Sequence, residues 1–172
     1  MEKSTNLVLA LLDSGPLGLV THPRGGQDAE ECKAWLAKFL SEGHLVLVPE
    51  ITYYEVRREL RRTELRTGQA SRGLMNLEAF TADAGLVPVT SAAIRLASEL
   101  WAEARHNYQQ GAPDAALDAD MILCAQARLL VPKSWNADGA SVVIVTRNVR
   151  HLEHFADARH WRDIQPWNER DQ

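Results

Sequence analysis

Four short runs of apolar residues recur along the chain, and each is apolar at nearly every position. They are residues 7–12, 45–48, 86–89 and 142–145. Runs of this kind are typical of strands that are buried on both faces of a sheet. The third run is the weakest strand candidate because Pro88 has no N–H to donate to a neighbouring strand.

The segments between these runs carry helical patterns. Helices are predicted over residues 28–41, 50–66, 71–83, 91–107 and 118–130. The first should place Cys32, Trp35, Leu36, Phe39 and Leu40 on one face, and Asp118 is the predicted N-cap of the last. Residues 131–140 are predicted to form a loop, and 158–165 a last short strand.

Strands that alternate with helices predict parallel pairing and a layered α/β domain. A length of 172 residues favours one domain, with a core over about 7–165. No apolar run approaches the roughly 18 residues that a membrane span needs. Cys32 and Cys124 have neither metal-ligand spacing nor a disulfide pattern, which fits a reducing cytoplasm.

The formal net charge of −4 argues against a protein that coats nucleic acid, since phosphate neutralisation needs a basic surface. It leaves open an enzyme that gathers acids around a metal ion. The candidate chemistry therefore lies at the carboxyl ends of the strands, where open parallel sheets bind ligands.

The first strand ends at Asp13, followed by Ser14, and the fourth ends in Thr146, Arg147 and Asn148. An acid at such a position costs free energy unless it is solvated, hydrogen-bonded or bound to a cation. The simpler alternative for Asp13 is an acid that caps a turn.

Two further acids are candidates for the same site. Glu55 lies one turn into the second predicted helix, and Asp120 lies near the start of a very apolar one. A carboxylate in such surroundings needs a partner. The partner is either an arginine or a helix N-terminal N–H, or it is a metal ion.

Taken together, these residues resemble the PIN-domain family, in particular the toxin-type, VapC-like nucleases of bacterial toxin–antitoxin modules. Residues 11–14 (LLDS) match the motif that closes the first strand, and residues 49–58 (PEITYYEVRR) match the second. Residues 120–127 (DMILCAQA) match the third, and residues 145–148 (VTRN), with Phe155 further on, match the last. Four motifs in the right order make the resemblance specific.

The resemblance implies a Rossmann-like three-layer fold with a parallel sheet of about four to five strands. It also implies Mg²⁺- or Mn²⁺-dependent hydrolysis of RNA, a homodimer, and inhibition by a cognate antitoxin. The implied metal ligands and catalytic residues are Asp13, Glu55, Asp120 and Asn148. Many relatives carry a fourth acid where this chain has Asn148, and residues 131–140 resemble an insertion.

Three carboxylates supply a charge of −3, so one tightly bound ion is expected, with a second entering only with substrate. Ser14 and Thr146 are expected to orient the carboxylates or a water molecule. An Asp118 carboxylate would lie roughly 200° around the helix from Asp120 and face away.

The second helix also carries a row of arginines on the side of Glu55. Arg62 and Arg66 fall within about 20° of Glu55 and Arg58 within about 60°. This stripe is a candidate RNA-binding track. The equally weighted alternative is a solvated face bridged internally by Glu59 and Glu64.

Other patterns carry less weight. His151 and His154 share a helical face but have no third ligand, so we interpret them as surface residues. A phosphotransfer enzyme with Asp13 as nucleophile would need a second acid where Gly15 stands. A regulatory, antitoxin-type binding module has little support. The main alternative is a non-catalytic PIN-like scaffold that binds RNA or protein, because Asn148 brings no charge.

Overall fold

The computed structural model describes residues 7–108, 111, 113–130 and 140–165. Apart from residue 140, the predicted loop over 131–140 lies outside these residues. Among them, no helix combines the length and the apolar character required to cross a membrane.

Five parallel strands form one sheet in the described part of the chain. They are β1 (Val8–Leu12), β2 (Leu45–Pro49), β3 (Leu86–Val87), β4 (Ser141–Val145) and β5 (Ala158–Arg159). The strand order is β3-β2-β1-β4-β5, with β1 at the centre between β2 and β4. The predicted parallel sheet of four to five strands is confirmed.

Helices connect the strands and cover both faces of the sheet. They are α1 (Ser14–Thr21), α2 (Gln27–Ser41), α3 (Glu50–Thr67), α4 (Arg72–Ala84), α5 (Ser91–Asn107), α6 (Asp114–Leu129) and α7 (Val149–Leu152), followed by a 3-10 helix at Trp161–Asp163. The first four predicted helices correspond to α2, α3, α4 and α5.

The prediction for the last long helix was wrong at its start. Helix α6 begins at Asp114 after Pro113, so Asp118 lies inside it and is not its N-cap. The fixed backbone angle of proline suits the entry to a helix, and Asp114 places negative charge in the first turn. Helix α1 was not predicted, because Gly15 and Pro16 resemble turn residues.

Two further predictions need correction. The side chain of Leu40 is 46% exposed, so the buried face of α2 ends with Phe39. Only Ala158–Arg159 of the tail is strand, and a 3-10 helix follows. Strand β3 stops at Val87, immediately before Pro88, as the missing N–H of that proline would dictate.

The central strands alternate between two separate cores, which makes the fold three-layered. Leu11 and Ile144 face a cluster built largely from α5, α6 and α7. Their neighbours Ala10 and Leu12 face a second cluster built largely from α1, α2 and α4. Because successive side chains of a strand point to opposite faces, one apolar run supplies both cores.

Candidate functional site

The candidate site lies where the strand order reverses, between β1 and β4. These strands run in register so that Leu12 pairs with Val145. The next residue of each strand is polar, and the N–H of Asp13 donates to the Val145 carbonyl over 2.9 Å. Such a switch point at the carboxyl edge is where open α/β sheets bind ligands.

Asp13 is held on both carboxylate oxygens. Its Oδ1 accepts from the N–H of Ser14 over 2.6 Å, which makes Asp13 the N-cap of α1. Its Oδ2 accepts from the Thr146 hydroxyl over 2.7 Å. The capping role that was considered as an alternative is therefore real, and it fixes the carboxylate at the sheet edge.

Glu55 reaches the same edge because α3 is pinned to the end of β1. The buried hydroxyl of Thr52 donates to the Leu12 carbonyl over 2.9 Å. Glu55 follows one turn later on the helix, and its side chain is 21% exposed. The Ser14 hydroxyl lies 3.4 Å from Asp13 Oδ1 and also favours the charged form of the Glu55 carboxylate, so one serine lies beside two acids.

Asp120 comes from the opposite layer. Its helix, α6, buries Met121 and Cys124 in the core, and Gln126 Nε2 donates to the Val87 carbonyl of β3 over 2.5 Å. Asp120 remains 19% exposed at the sheet edge. Asp118 is exposed and lines a groove between α5 and α6 instead, so it faces away from the site, as expected from its angle.

The three acids act on one another electrostatically. Burial raises the pKa of Asp120 to about 7, and the charges of Asp13 and Glu55 add to that rise. Burial, followed by the charge of Asp13, also raises the pKa of Glu55, while Arg58 and Ser14 oppose the change. Burial and mutual repulsion both destabilise the charged carboxylates, so a cation bound between them would stabilise the site.

Asn148 is exposed and begins α7, and its N–H donates to the Thr146 hydroxyl over 2.9 Å. Thr146 thereby connects Asn148 to Asp13. Among the residues that the structure describes, no three His, Cys, Asp or Glu side chains form a ready-made metal-holding group. The three acids lie at the same edge of the sheet and interact electrostatically, but their oxygens do not already surround one point.

Sequence reasoning missed one neighbour of the site. His151 Nδ1 lies 3.7 Å from Asp120 Oδ2, although half of the His151 side chain is exposed. The signal was its spacing, because His151 follows Asn148 by three residues and shares one helical turn with it. His154 is also exposed, and its ring stacks on Tyr108.

The arginine row on α3 is bridged by acids of the same helix. Glu59 pairs with Arg62 over 3.3 Å and with Arg58 over 4.0 Å, and Arg58 lies 3.8 Å from Glu55. Glu64 pairs with Arg61. The internally bridged face that was the alternative is therefore observed. The arginines of these pairs are about half exposed or more, so the pairs contribute little to stability and leave the guanidinium groups at the surface.

A groove of about 520 Å³ runs from the site between α1 and α3. Ser14 and Glu55 line it together with Arg58, and apolar side chains such as Leu19 and Leu60 form its walls. Of the three acids, Glu55 lines this groove, which is an open channel rather than a closed cavity.

Solved structures with the same arrangement of elements come from bacterial VapBC proteins. The crystal structure of VapBC2 from Rickettsia felis bound to a promoter DNA fragment has 11% sequence identity and a TM-score of 0.61, covering 89% of this chain and 98% of that chain. DNA-bound VapBC from Salmonella typhimurium has 16% identity and a TM-score of 0.60, covering 90% and 99%. VapBC-1 from nontypeable Haemophilus influenzae has 15% identity and a TM-score of 0.57, also covering 90% and 99%.

The chain has a VapC-like PIN fold. At such identities the likeness establishes the fold, and the PIN fold predicted from four short motifs is confirmed. No protein-family profile and no curated protein sequence matches the chain significantly. Within the PIN fold, the switch point between β1 and β4 is the edge that carries Asp13, Glu55 and Asp120.

Proposed function

We propose that this protein is a Mg²⁺- or Mn²⁺-dependent ribonuclease that hydrolyses phosphodiester bonds of RNA. The observation that carries the proposal is the convergence of Asp13, Glu55 and Asp120, from three different elements, on one edge of a PIN fold. Their mutual effect on pKa supports a common site.

The donor set suits a hard divalent cation. Mg²⁺ and Mn²⁺ prefer oxygen ligands, and three carboxylates with the Asn148 amide oxygen would hold one. When bound, such an ion increases the acidity of a water molecule and offsets negative charge on the phosphate oxygens. Rotation of the Glu55 and Asp120 side chains changes their oxygen positions without moving a helix or strand.

The chain's own residues prepare this site. Thr146 and the Ser14 N–H hold the two oxygens of Asp13 in fixed directions. Ser14 also lines the groove together with Glu55, and its hydroxyl favours the charged form of that carboxylate. Fixed carboxylates lose less conformational entropy when they bind an ion, and donors that orient ligands in this way strengthen metal binding.

The groove between α1 and α3 provides a path for a single strand of RNA. Arg58 lies on its wall next to Glu55. The helical periodicity of α3 puts Arg62 and Arg66 further along the same stripe. Guanidinium groups in a row would follow the phosphate backbone and guide it toward the acids. On this proposal, the net charge of −4 comes from the acids of the site and of the remaining surface, and the arginines that would contact RNA are confined to one stripe of α3.

We further propose that the protein is the toxin of a toxin–antitoxin module, forms a homodimer and acts in the cytoplasm. The support is the fold shared with VapBC proteins. An antitoxin chain is the expected protein partner. One PIN-like domain spanning the chain is proposed on the same grounds.

The proposal is tested by incubating the purified protein with a mixed pool of single-stranded RNA in Mg²⁺, Mn²⁺ or EDTA. Wild-type protein should cut the pool with either ion and not in EDTA. The variants Asp13→Asn and Asp120→Asn should lose cutting by at least about 100-fold, because each removes a proposed ligand.

Asp118→Asn is the matched control, since it makes the same chemical change two residues away on an exposed face of α6. It should cut like wild type. A folded wild-type protein that binds RNA but cuts none of it with either ion would favour the non-catalytic scaffold, with Asn148 as the reason.

A further inference from the structure

We infer that His151 is a positioning residue that orients the Asp120 carboxylate in the proposed metal site. The inference rests on the proposed function and extends it to a residue outside the four matched motifs. Its basis is one juxtaposition: His151 Nδ1 lies 3.7 Å from Asp120 Oδ2. The two residues come from different elements, α7 and α6.

The placement of His151 is fixed by its neighbours. Helix α7 is a single turn whose Leu152 is fully buried, and Phe155 just beyond it is also buried. Tyr108, at the end of α5, stacks on His154 with ring centroids 4.3 Å apart and meets Phe155 edge-on at 5.7 Å. The turn is thus anchored on both sides, and His151 is carried to the edge of α6 by rigid packing.

Asp120 has few other groups that could orient it. In the described part of the chain, His151 is the basic side chain within 4 Å of its carboxylate. Its remaining electrostatic neighbours, Asp13 and Glu55, repel it. An N–H at Nδ1 attracts Oδ2 and restricts rotation of the carboxylate, although 3.7 Å is longer than a direct hydrogen bond.

The orientation of Asp120 matters more here because Asn148 contributes no charge. A site with three carboxylates depends on each of them being presented correctly. Groups that contact a metal ligand from behind commonly change metal affinity by roughly 10- to 100-fold. His151 is suited to this role because it shares a helical turn with Asn148.

The test compares Mn²⁺ affinity, measured by electron paramagnetic resonance of the free ion, with kcat and KM for RNA. His151→Ala should weaken Mn²⁺ binding about 10-fold and lower kcat. His151→Asn places an amide N–H near the position of Nδ1 and should restore both values. His151→Gln places its amide near the position of Nε2 and should not restore them. Glu153→Gln, at an exposed position of the same segment, should behave like wild type.

The outcomes are separable. If wild type binds Mn²⁺ and cuts RNA but His151→Ala matches it in both, the positioning role is wrong and the nuclease proposal stands. The positioning role is also overturned if neither His151→Asn nor His151→Gln restores Mn²⁺ binding and kcat, because the ring would then act only through its shape. A wild type that neither binds Mn²⁺ nor cuts RNA overturns both proposals.

Discussion

The hydroxyl of Thr146 donates to Asp13 Oδ2 over 2.7 Å and accepts the N–H of Asn148 over 2.9 Å. A single buried oxygen thus ties the end of β1 to the start of α7. Thr146 and Asp13 are 133 positions apart in the sequence. The link exists because β1 and β4 are adjacent and in register.

Replacing this hydroxyl should destabilise the fold. Thr146→Val keeps the shape but leaves Asn148 N–H and one oxygen of Asp13 without their partner. We expect a loss of about 1–3 kcal/mol in the free energy of unfolding, measured in urea. Thr146→Ser retains the hydroxyl and should lose less than Thr146→Val. Equal losses in both variants would assign the effect to packing.

The stability of the metal-free protein should fall as the pH rises from about 4 to 7. The folded state holds the proton of Asp120 to a pKa of about 7, whereas the unfolded chain releases it near 3.8. The folded state therefore binds more protons in this window, and stability declines through it by at most about 4 kcal/mol. The raised pKa of Glu55 acts in the same direction.

Asp120→Asn provides the comparison for this pH effect. In EDTA at pH 8 it should be more stable than wild type, and the difference should shrink toward pH 4. Urea unfolding at several pH values measures both curves. An Asp120→Asn variant that is less stable than wild type at pH 8 would contradict the assignment.

Divalent cations should stabilise the fold through the same acids. At an Mn²⁺ concentration of 100 times its Kd, wild type should gain about 2.7 kcal/mol. The gain should disappear in Asp13→Asn and persist in Asp118→Asn, whose carboxylate is exposed on another face. Thermal unfolding with Mn²⁺ or EDTA measures it. A gain of the same size in all three proteins would indicate nonspecific binding.

The arginine stripe should determine how RNA affinity depends on salt. Replacing Arg58, Arg62 and Arg66 together with Gln should reduce the slope of log K against log[salt] by about 2, at about 0.7 for each lost phosphate contact. Fluorescence anisotropy with an RNA oligomer measures the slope in Ca²⁺, which limits cutting.

The matched control for the stripe is Arg57→Gln with Arg61→Gln, on another side of the same helix. Arg57 pairs with Glu78 over 3.1 Å and Arg61 with Glu64, so these arginines serve α3 and α4. If the slope falls by as much per replaced arginine in this control as in the stripe variant, the overall charge of the protein, and not the stripe, governs RNA binding.

Local patterns in the sequence predicted four of the strands, most helices and a layered α/β domain, and the resemblance of four motifs to a known family implied the PIN fold. A run that is apolar at every position is suited to a central strand buried on both faces, because it can supply both cores. The strand order was not predicted and comes from the structure. Strand β3 is shorter than the predicted run 86–89, because it stops at Val87 before Pro88. The start of α6 was predicted wrongly, because the local signals of Pro113 and Asp114 upstream, and not a cap at Asp118, begin the helix.

Only the tertiary structure decided which side chains meet. The sequence placed Asp13 at the end of a strand and Glu55 and Asp120 near the starts of two helices. The packing of α3 and α6 against the sheet brought the three charges into mutual range. The contact of His151 with Asp120 and the bond of Thr146 to Asp13 join residues that are far apart along the chain. Sequence patterns report the propensities of neighbouring residues, whereas such contacts depend on strand order and register, which form only when the whole sheet assembles.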